Sequence, residues 1–178
     1  MHIRNMALCA LFAALLSVCA WLAIPLGDIY ITLQTFGVFL CLATLGGKRG
    51  SIAVLVYLLL GALGLPVFSG FRGGLGALLS TTGGYLTGFL ACALVYWLLT
   101  ALLPRKTLLA LVVGLLVCYC FGTIWYYNVY IQSGSAASLW LIVSKCVLPY
   151  LLPDGAKLVF ALTLAKKLRP FIFRNDSP

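Results

Sequence analysis

The sequence predicts an all-α integral membrane protein, a six-transmembrane-helix bundle forming one domain over residues 1–178. Three observations predict it. First, the chain is 63% hydrophobic and 8% charged, with a mean hydropathy of +1.13. A water-soluble domain carries about 25% charged residues, so this chain cannot cover itself with a water-compatible surface. Second, its length admits about six spans of roughly 20 residues each. Third, the net charge of +9 is not gathered on one face, as nucleic-acid binding would require. The basic residues punctuate the gaps between apolar runs, as the positive-inside rule expects of a chain in a lipid bilayer.

The first apolar run covers 6–24. Arg4 precedes it, which allows a signal peptide, and Leu16-Ser17-Val18-Cys19 brushes against a lipoprotein signal. Such signals want a small residue where Val18 stands, and the run is long for a signal core, so a retained span is expected. Residues 25–34 contain Pro25, Gly27 and Asp28 and read as an external loop. The second run, 35–45, is short; it is either a tilted span extended by that loop or a partly re-entrant piece. The third run is 51–68, followed by a glycine-rich stretch over 69–85. The fourth run continues to residue 103 and stops at Pro104-Arg105-Lys106, and the fifth covers 107–131. Residues 132–138 read as a loop. The remainder is too long for one straight span, and Pro149 and Pro153 divide it. Residues 139–150 then form an interfacial or capping helix, and the last span begins at Pro153, a favoured first-turn residue.

Orientation follows from the loops. Arg4, Lys48, Arg49, Arg105, Lys106, Lys166, Lys167, Arg169 and Arg174 fall on one side, Arg72 and Lys145 on the other, and Lys157 within the last span. That bias places both termini in the cytoplasm of a multi-pass protein of the bacterial cytoplasmic membrane.

The chain excludes several chemistries. Seven cysteines lie mostly inside apolar runs, no CxxC occurs, and the sole histidine is His2, so no metal site is expected. There is no glutamate, no serine–histidine pair at membrane depth and no ATP-binding motif, so an enzyme is not expected and no cofactor is implied.

Against this background "LPDGAK", residues 152–157, stands out. Asp154 and Lys157 are three residues apart and share a helix face. Charges at membrane depth are costly and are kept for function or for pairing. Two readings stand. In one, Asp154 caps the helix start and Lys157 snorkels or pairs with it. In the other, an outward-facing ligand pocket uses the aspartate to accept from N–H donors and the lysine to meet a carboxylate. The seven glycines between 70 and 88 make either a turned loop or a folded lid whose backbone approaches a ligand. Trp125, Tyr126, Tyr127 and Tyr130 make either an interfacial belt or a pocket wall. Ala10 and Ala14 have small-xxx-small spacing, for packing within the bundle or against a second membrane protein.

Three stretches together carry a resemblance: "ITLQTFGVFLCLATLGGKRG", "VYLLLGALGLPVFSGFRGGLGALLSTTGGYLTGF" and "LPDGAKLVFALTLA". The chain resembles the BioY family, the biotin-binding (S) subunits of energy-coupling factor transporters, over about residues 31–168. The resemblance implies a six-helix membrane bundle with biotin bound near the outer face. It implies that Asp154 and Lys157 read the ureido ring and the carboxylate, with Asp154 accepting from ureido N–H groups and Lys157 meeting the carboxylate. It places Gln34, Thr35, Phe71, Gly73, Gly74 and Tyr85 at the ligand, and Ala10 and Ala14 against a transmembrane coupling subunit driven by two ATPases. One departure is visible: Ser80-Thr81 stand where the family pattern has Gly-Pro ahead of Thr82-Gly83-Gly84-Tyr85, which alters the stiffness of that loop.

Overall fold

The computed structural model of the chain describes residues 3–26, 29–132 and 139–173. Expectations for His2, Gly27, Asp28, the loop over 133–138 and Arg174 lie outside them.

Helix α1 runs Ile3–Trp21 without glycine or proline, about 28 Å at 1.5 Å per residue. Pro25 cannot continue it, and the chain turns back as a short antiparallel hairpin. Strands β1 (Ala23–Leu26) and β2 (Ile29–Thr32) pair Ala23 with Thr32 and Pro25 with Tyr30. The fold is therefore not purely helical, and the expected loop is a ribbon. Its β-branched residues favour extension, and a two-stranded ribbon tolerates a proline that cannot donate.

Helix α2 (Gln34–Leu45) has every residue from 37 to 45 buried. A helix apolar on all sides belongs in the centre of a bundle, and α2 packs against α1, α3, α5 and α8. Gly46, at φ 80°, reverses the chain into α3 (Gly47–Ala62). That helix starts and ends earlier than its apolar run.

The glycine-rich stretch is folded. A single 3-10 turn over Ser69–Phe71 is followed by α4 (Leu75–Leu79) and then by α5, which starts at Gly83 and ends at Leu102. Gly73 lies so close to the preceding segment that a Cβ there would stand 2.2 Å from the Leu65 carbonyl oxygen, so no side chain fits.

Helix α6 (Thr107–Gln132) lies antiparallel along α5 with reciprocal close contacts. A Cβ on Gly88 of α5 would sit 3.0 Å from Cys118 Sγ, and one on Gly114 of α6 would sit 2.9 Å from Cys92 Sγ. Small residues let transmembrane backbones approach in this way.

Helix α7 covers Leu139–Cys146 and α8 covers Leu148–Ile172. The break falls at Val147 (φ −120°, ψ −55°), so the last helix starts before Pro153. Pro149 occupies the first turn, where no intrahelical donor is needed, and Pro153 forfeits one bond to the 149 carbonyl.

Among the described residues, α1, α5, α6 and the α7–α8 stretch Trp140–Ile172 are long and apolar enough to cross a membrane; α2 is apolar but only 12 residues long. One end of the bundle gathers basic residues. Arg4 donates to the Ile172 carbonyl, and the guanidinium carbons of Arg4 and Arg49 lie 5.9 and 5.4 Å from the centroid of Phe173. The start of α2, the middle of α6 and the first turns of α8 meet towards the opposite end.

Candidate functional site

At that opposite end a cavity opens between α2, α5, α6, α8 and the 68–72 turn. Its most constrained polar group is Asp154, which is 1% exposed. Oδ1 accepts from Lys157 Nζ at 2.7 Å and from Thr35 Oγ1 at 2.8 Å, while Oδ2 accepts from the Tyr119 hydroxyl at 2.6 Å. Lys157 Nζ also donates to Thr35 Oγ1 at 3.2 Å. A carboxylate this deep needs such partners, because an unpaired buried charge is very costly. Asp154 thereby joins α8 to α2 and α6. The helix periodicity that puts residues three apart on one face also aims both charges into the cavity.

A second polar group is centred on Gln34. Its Nε2 donates to the Tyr57 hydroxyl at 2.7 Å, and its Oε1 accepts from Ser69 Oγ at 2.9 Å and from Thr32 Oγ1 at 3.1 Å. Gln34 thus ties the hairpin and the 3-10 turn to α3. Arg72 completes this side of the lining, its Nε donating to the Ser69 carbonyl at 3.1 Å. Apolar and aromatic wall comes from Phe68, Leu86, Phe89, Cys118, Tyr119 and Tyr150. Tyr85 lines the cavity with its hydroxyl 3.1 Å from Thr123 Oγ1. Such a site, mostly apolar with a few convergent polar groups, suits a small amphipathic molecule.

The structure brings Gln34, Thr35, Tyr85, Asp154 and Lys157 together in the lining of one cavity. Phe71, Gly73 and Gly74 are off the cavity lining, on the same segment as Phe68, Ser69 and Arg72, which line it. Phe71 is exposed and stacks on Trp21 at 5.3 Å between centroids, and the Gly74 N–H donates to the Gly61 carbonyl at 2.7 Å. Ala10 and Ala14 are exposed on the outer face of α1, while Cys9, Phe12, Ala13 and Leu16 face the core. The pair therefore does not pack within the bundle. The 125–130 aromatics stay off the cavity as well. Tyr126 stacks on Tyr130 at 5.8 Å and packs with Ile142 and Cys146, and Trp125 Nε1 donates to the Ser80 carbonyl at 3.0 Å.

Sequence reasoning missed Tyr119, Tyr57, Ser69 and Arg72. The usable signal lay in the tyrosines: a hydroxyl inside an apolar run needs a partner.

Comparison with known proteins adds to this picture. The model of the BioY family matches residues 1–174. The chain is 40% identical over 171 residues to the "Biotin transporter BioY" of Thermotoga maritima, covering 93% of this chain and 96% of that one. It is 36% identical over 180 residues to the "Biotin transporter BioY" of Rhodobacter capsulatus, covering 94% of each. Among solved structures it resembles the S-component for biotin from an ECF-type ABC transporter, with a TM-score of 0.82, 25% identity, and coverage of 94% of this chain and 91% of that one.

Proposed function

The chain belongs to the BioY family, and on that footing we propose that it captures biotin with high affinity for uptake across the cytoplasmic membrane, as the substrate-binding subunit of an energy-coupling factor transporter. It acts by binding and catalyses no reaction. The observation that carries the reading is the cavity itself. An Asp154–Lys157 ion pair, its aspartate buried and held also by Thr35 and Tyr119, faces an apolar aromatic wall, in a chain whose fold resembles a biotin S-component.

In this reading Asp154, Lys157, Gln34, Thr35 and Tyr85 contact biotin, and the segment carrying Phe71, Gly73 and Gly74 covers it. The chain crosses the bilayer six times, with α2 and α3 as the two short crossings, both termini in the cytoplasm and the pocket opening outward. The gathering of basic residues at the end away from the cavity supports that orientation. The outer face of α1, with Ala10 and Ala14, docks on a transmembrane coupling subunit that two ATPase subunits drive.

The test is direct binding. Protein purified in detergent without added vitamin is titrated with biotin, thiamine and riboflavin by calorimetry, and its co-purified ligand is identified by mass spectrometry. Saturable one-to-one binding of biotin alone is expected; binding of another vitamin in preference overturns the assignment.

A further inference from the structure

Tyr85, Tyr119 and Tyr150 line the cavity, and their hydroxyls are not equally occupied. Tyr119 donates to Asp154 Oδ2 at 2.6 Å, and the Tyr85 hydroxyl stands 3.1 Å from Thr123 Oγ1. Among the described residues the Tyr150 hydroxyl has no hydrogen-bond partner. It is not sealed in the core either, for the buried side-chain polar atom left without a partner among those residues is Thr44 Oγ1. The Tyr150 side chain packs against the core, half-buried, and its hydroxyl reaches open space. A phenol in an apolar wall belongs where its O–H can find a partner.

Tyr150, Asp154 and Lys157 recur at i, i+4 and i+7 and form one stripe on α8. The break at Val147 lets the helix begin just early enough to hold Tyr150, whose N–H donates to the Val147 carbonyl at 3.0 Å. Four residues at 1.5 Å each put Tyr150 about 6 Å from Asp154 along the axis, on the side away from the basic end of the bundle. Helical side chains lean towards the N-terminus. Lys157 therefore reaches back to Asp154, at 2.7 Å, and the Tyr150 hydroxyl lies farther along the same direction.

The two parts of the stripe suit different groups. The Asp154–Lys157 pair neutralises itself, and the aspartate is 1% exposed. A ligand carboxylate brought there would crowd two carboxylates around one ammonium. A neutral group fits better. Lys157 keeps one N–H beyond those given to Asp154 and Thr35, and Asp154 Oδ2 keeps lone-pair capacity beyond Tyr119. A donor beside an acceptor complements a cyclic urea. Biotin carries its carboxylate on a four-methylene chain away from that ring, so with the ring on the pair the chain runs along the stripe towards Tyr150.

Resting on the biotin reading, we propose that Tyr150 is a further specificity-determining residue, whose hydroxyl donates a hydrogen bond to the carboxylate of the ligand. A hydroxyl beside a carboxylate makes a short, charge-assisted bond and adds no second cation to the cavity.

The test crosses two proteins with two ligands, using displacement calorimetry on purified full-length protein. The proteins are wild type and Tyr150→Phe; the ligands are biotin and the analogue that ends in a methyl group in place of the carboxylate. Tyr150→Phe keeps the ring and its packing. It weakens biotin about tenfold, the scale of one hydrogen bond to a charged group, and leaves the methyl-terminated analogue unchanged, which also shows that the variant is folded. 2-Iminobiotin, altered at the ring and intact at the carboxylate, loses the same factor as biotin. Unchanged biotin affinity in Tyr150→Phe, or equal weakening of biotin and the methyl-terminated analogue, overturns the assignment. Wild type that does not bind biotin overturns the biotin reading, and the Tyr150 role with it.

Discussion

Tyr119 on α6 donates its hydroxyl to Oδ2 of Asp154 on α8 at 2.6 Å, joining two helices that are 35 residues apart in sequence at this contact. Thr35 and Lys157 serve the other carboxylate oxygen. The aspartate is thus held from three sides by the chain's own side chains, an arrangement that favours a preorganised acceptor.

Tyr119→Phe keeps the ring and removes the donor. Biotin affinity is expected to fall by about 1–3 kcal/mol, the cost of leaving a buried acceptor short of a partner. Calorimetry measures the loss, and a thermal melt in detergent reports the fold. Wild-type affinity in Tyr119→Phe means that the aspartate does not depend on this contact.

Lys157→Met leaves Asp154 buried without its cation and is expected to cost roughly 2–5 kcal/mol of binding. The double variant Asp154→Leu/Lys157→Met removes both charges. It is expected to regain thermal stability relative to the single variant, because an apolar pair can replace a buried ion pair, yet not to bind. A double variant that still binds biotin makes the pair purely structural.

Ala10→Leu/Ala14→Leu adds bulk to the exposed face of α1 and touches nothing in the cavity. If α1 docks on the proposed transmembrane coupling subunit, the expected result is loss of co-purification with it at unchanged biotin affinity. Weakened biotin binding instead assigns these positions to the fold of the subunit itself.

Leu75, 64% exposed at the start of α4, reports on sidedness. Leu75→Cys in a background without the native cysteines is expected to react with a membrane-impermeant thiol reagent in intact cells, and biotin is expected to slow the reaction as the covering turn settles. Reaction only in inverted vesicles reverses the topology. Reaction that biotin leaves unchanged removes the closing motion.

Asp154 and Lys157 were legible in the sequence because charge inside an apolar run has few innocent explanations. Gln34, Thr35 and Tyr85 came with the family pattern and line the same cavity. Tyr119 was hidden because a tyrosine in a span also reads as core or interface. The hairpin over 23–32 was hidden because Pro25 and Gly27 read as loop punctuation and each strand is four residues long. The break before α8 was misplaced because a proline near a helix start costs little, so Pro153 could stay inside the helix while Val147 carried the kink. Ser80 shows a local substitution of mechanism. Where the family pattern has Gly-Pro, its Oγ donates to the Ala77 carbonyl at 2.7 Å and its carbonyl accepts from Trp125, so hydrogen bonds stiffen the turn that a ring would otherwise stiffen.

The reciprocal contacts of Gly88 with Cys118 and Gly114 with Cys92 make α5 and α6 a single plank. From it project Tyr85, Leu86 and Phe89 on one helix and Cys118 and Tyr119 on the other. Neither helix can slide or part without opening a void at two places at once. The cavity is therefore a vice with one fixed jaw. A guest is gauged against an unyielding template on the α5–α6 side, and any widening must come from the hairpin, the 68–72 turn or α8. Molecules too thick for the slot are turned away by stiffness, with no charge or hydrogen bond needed to refuse them.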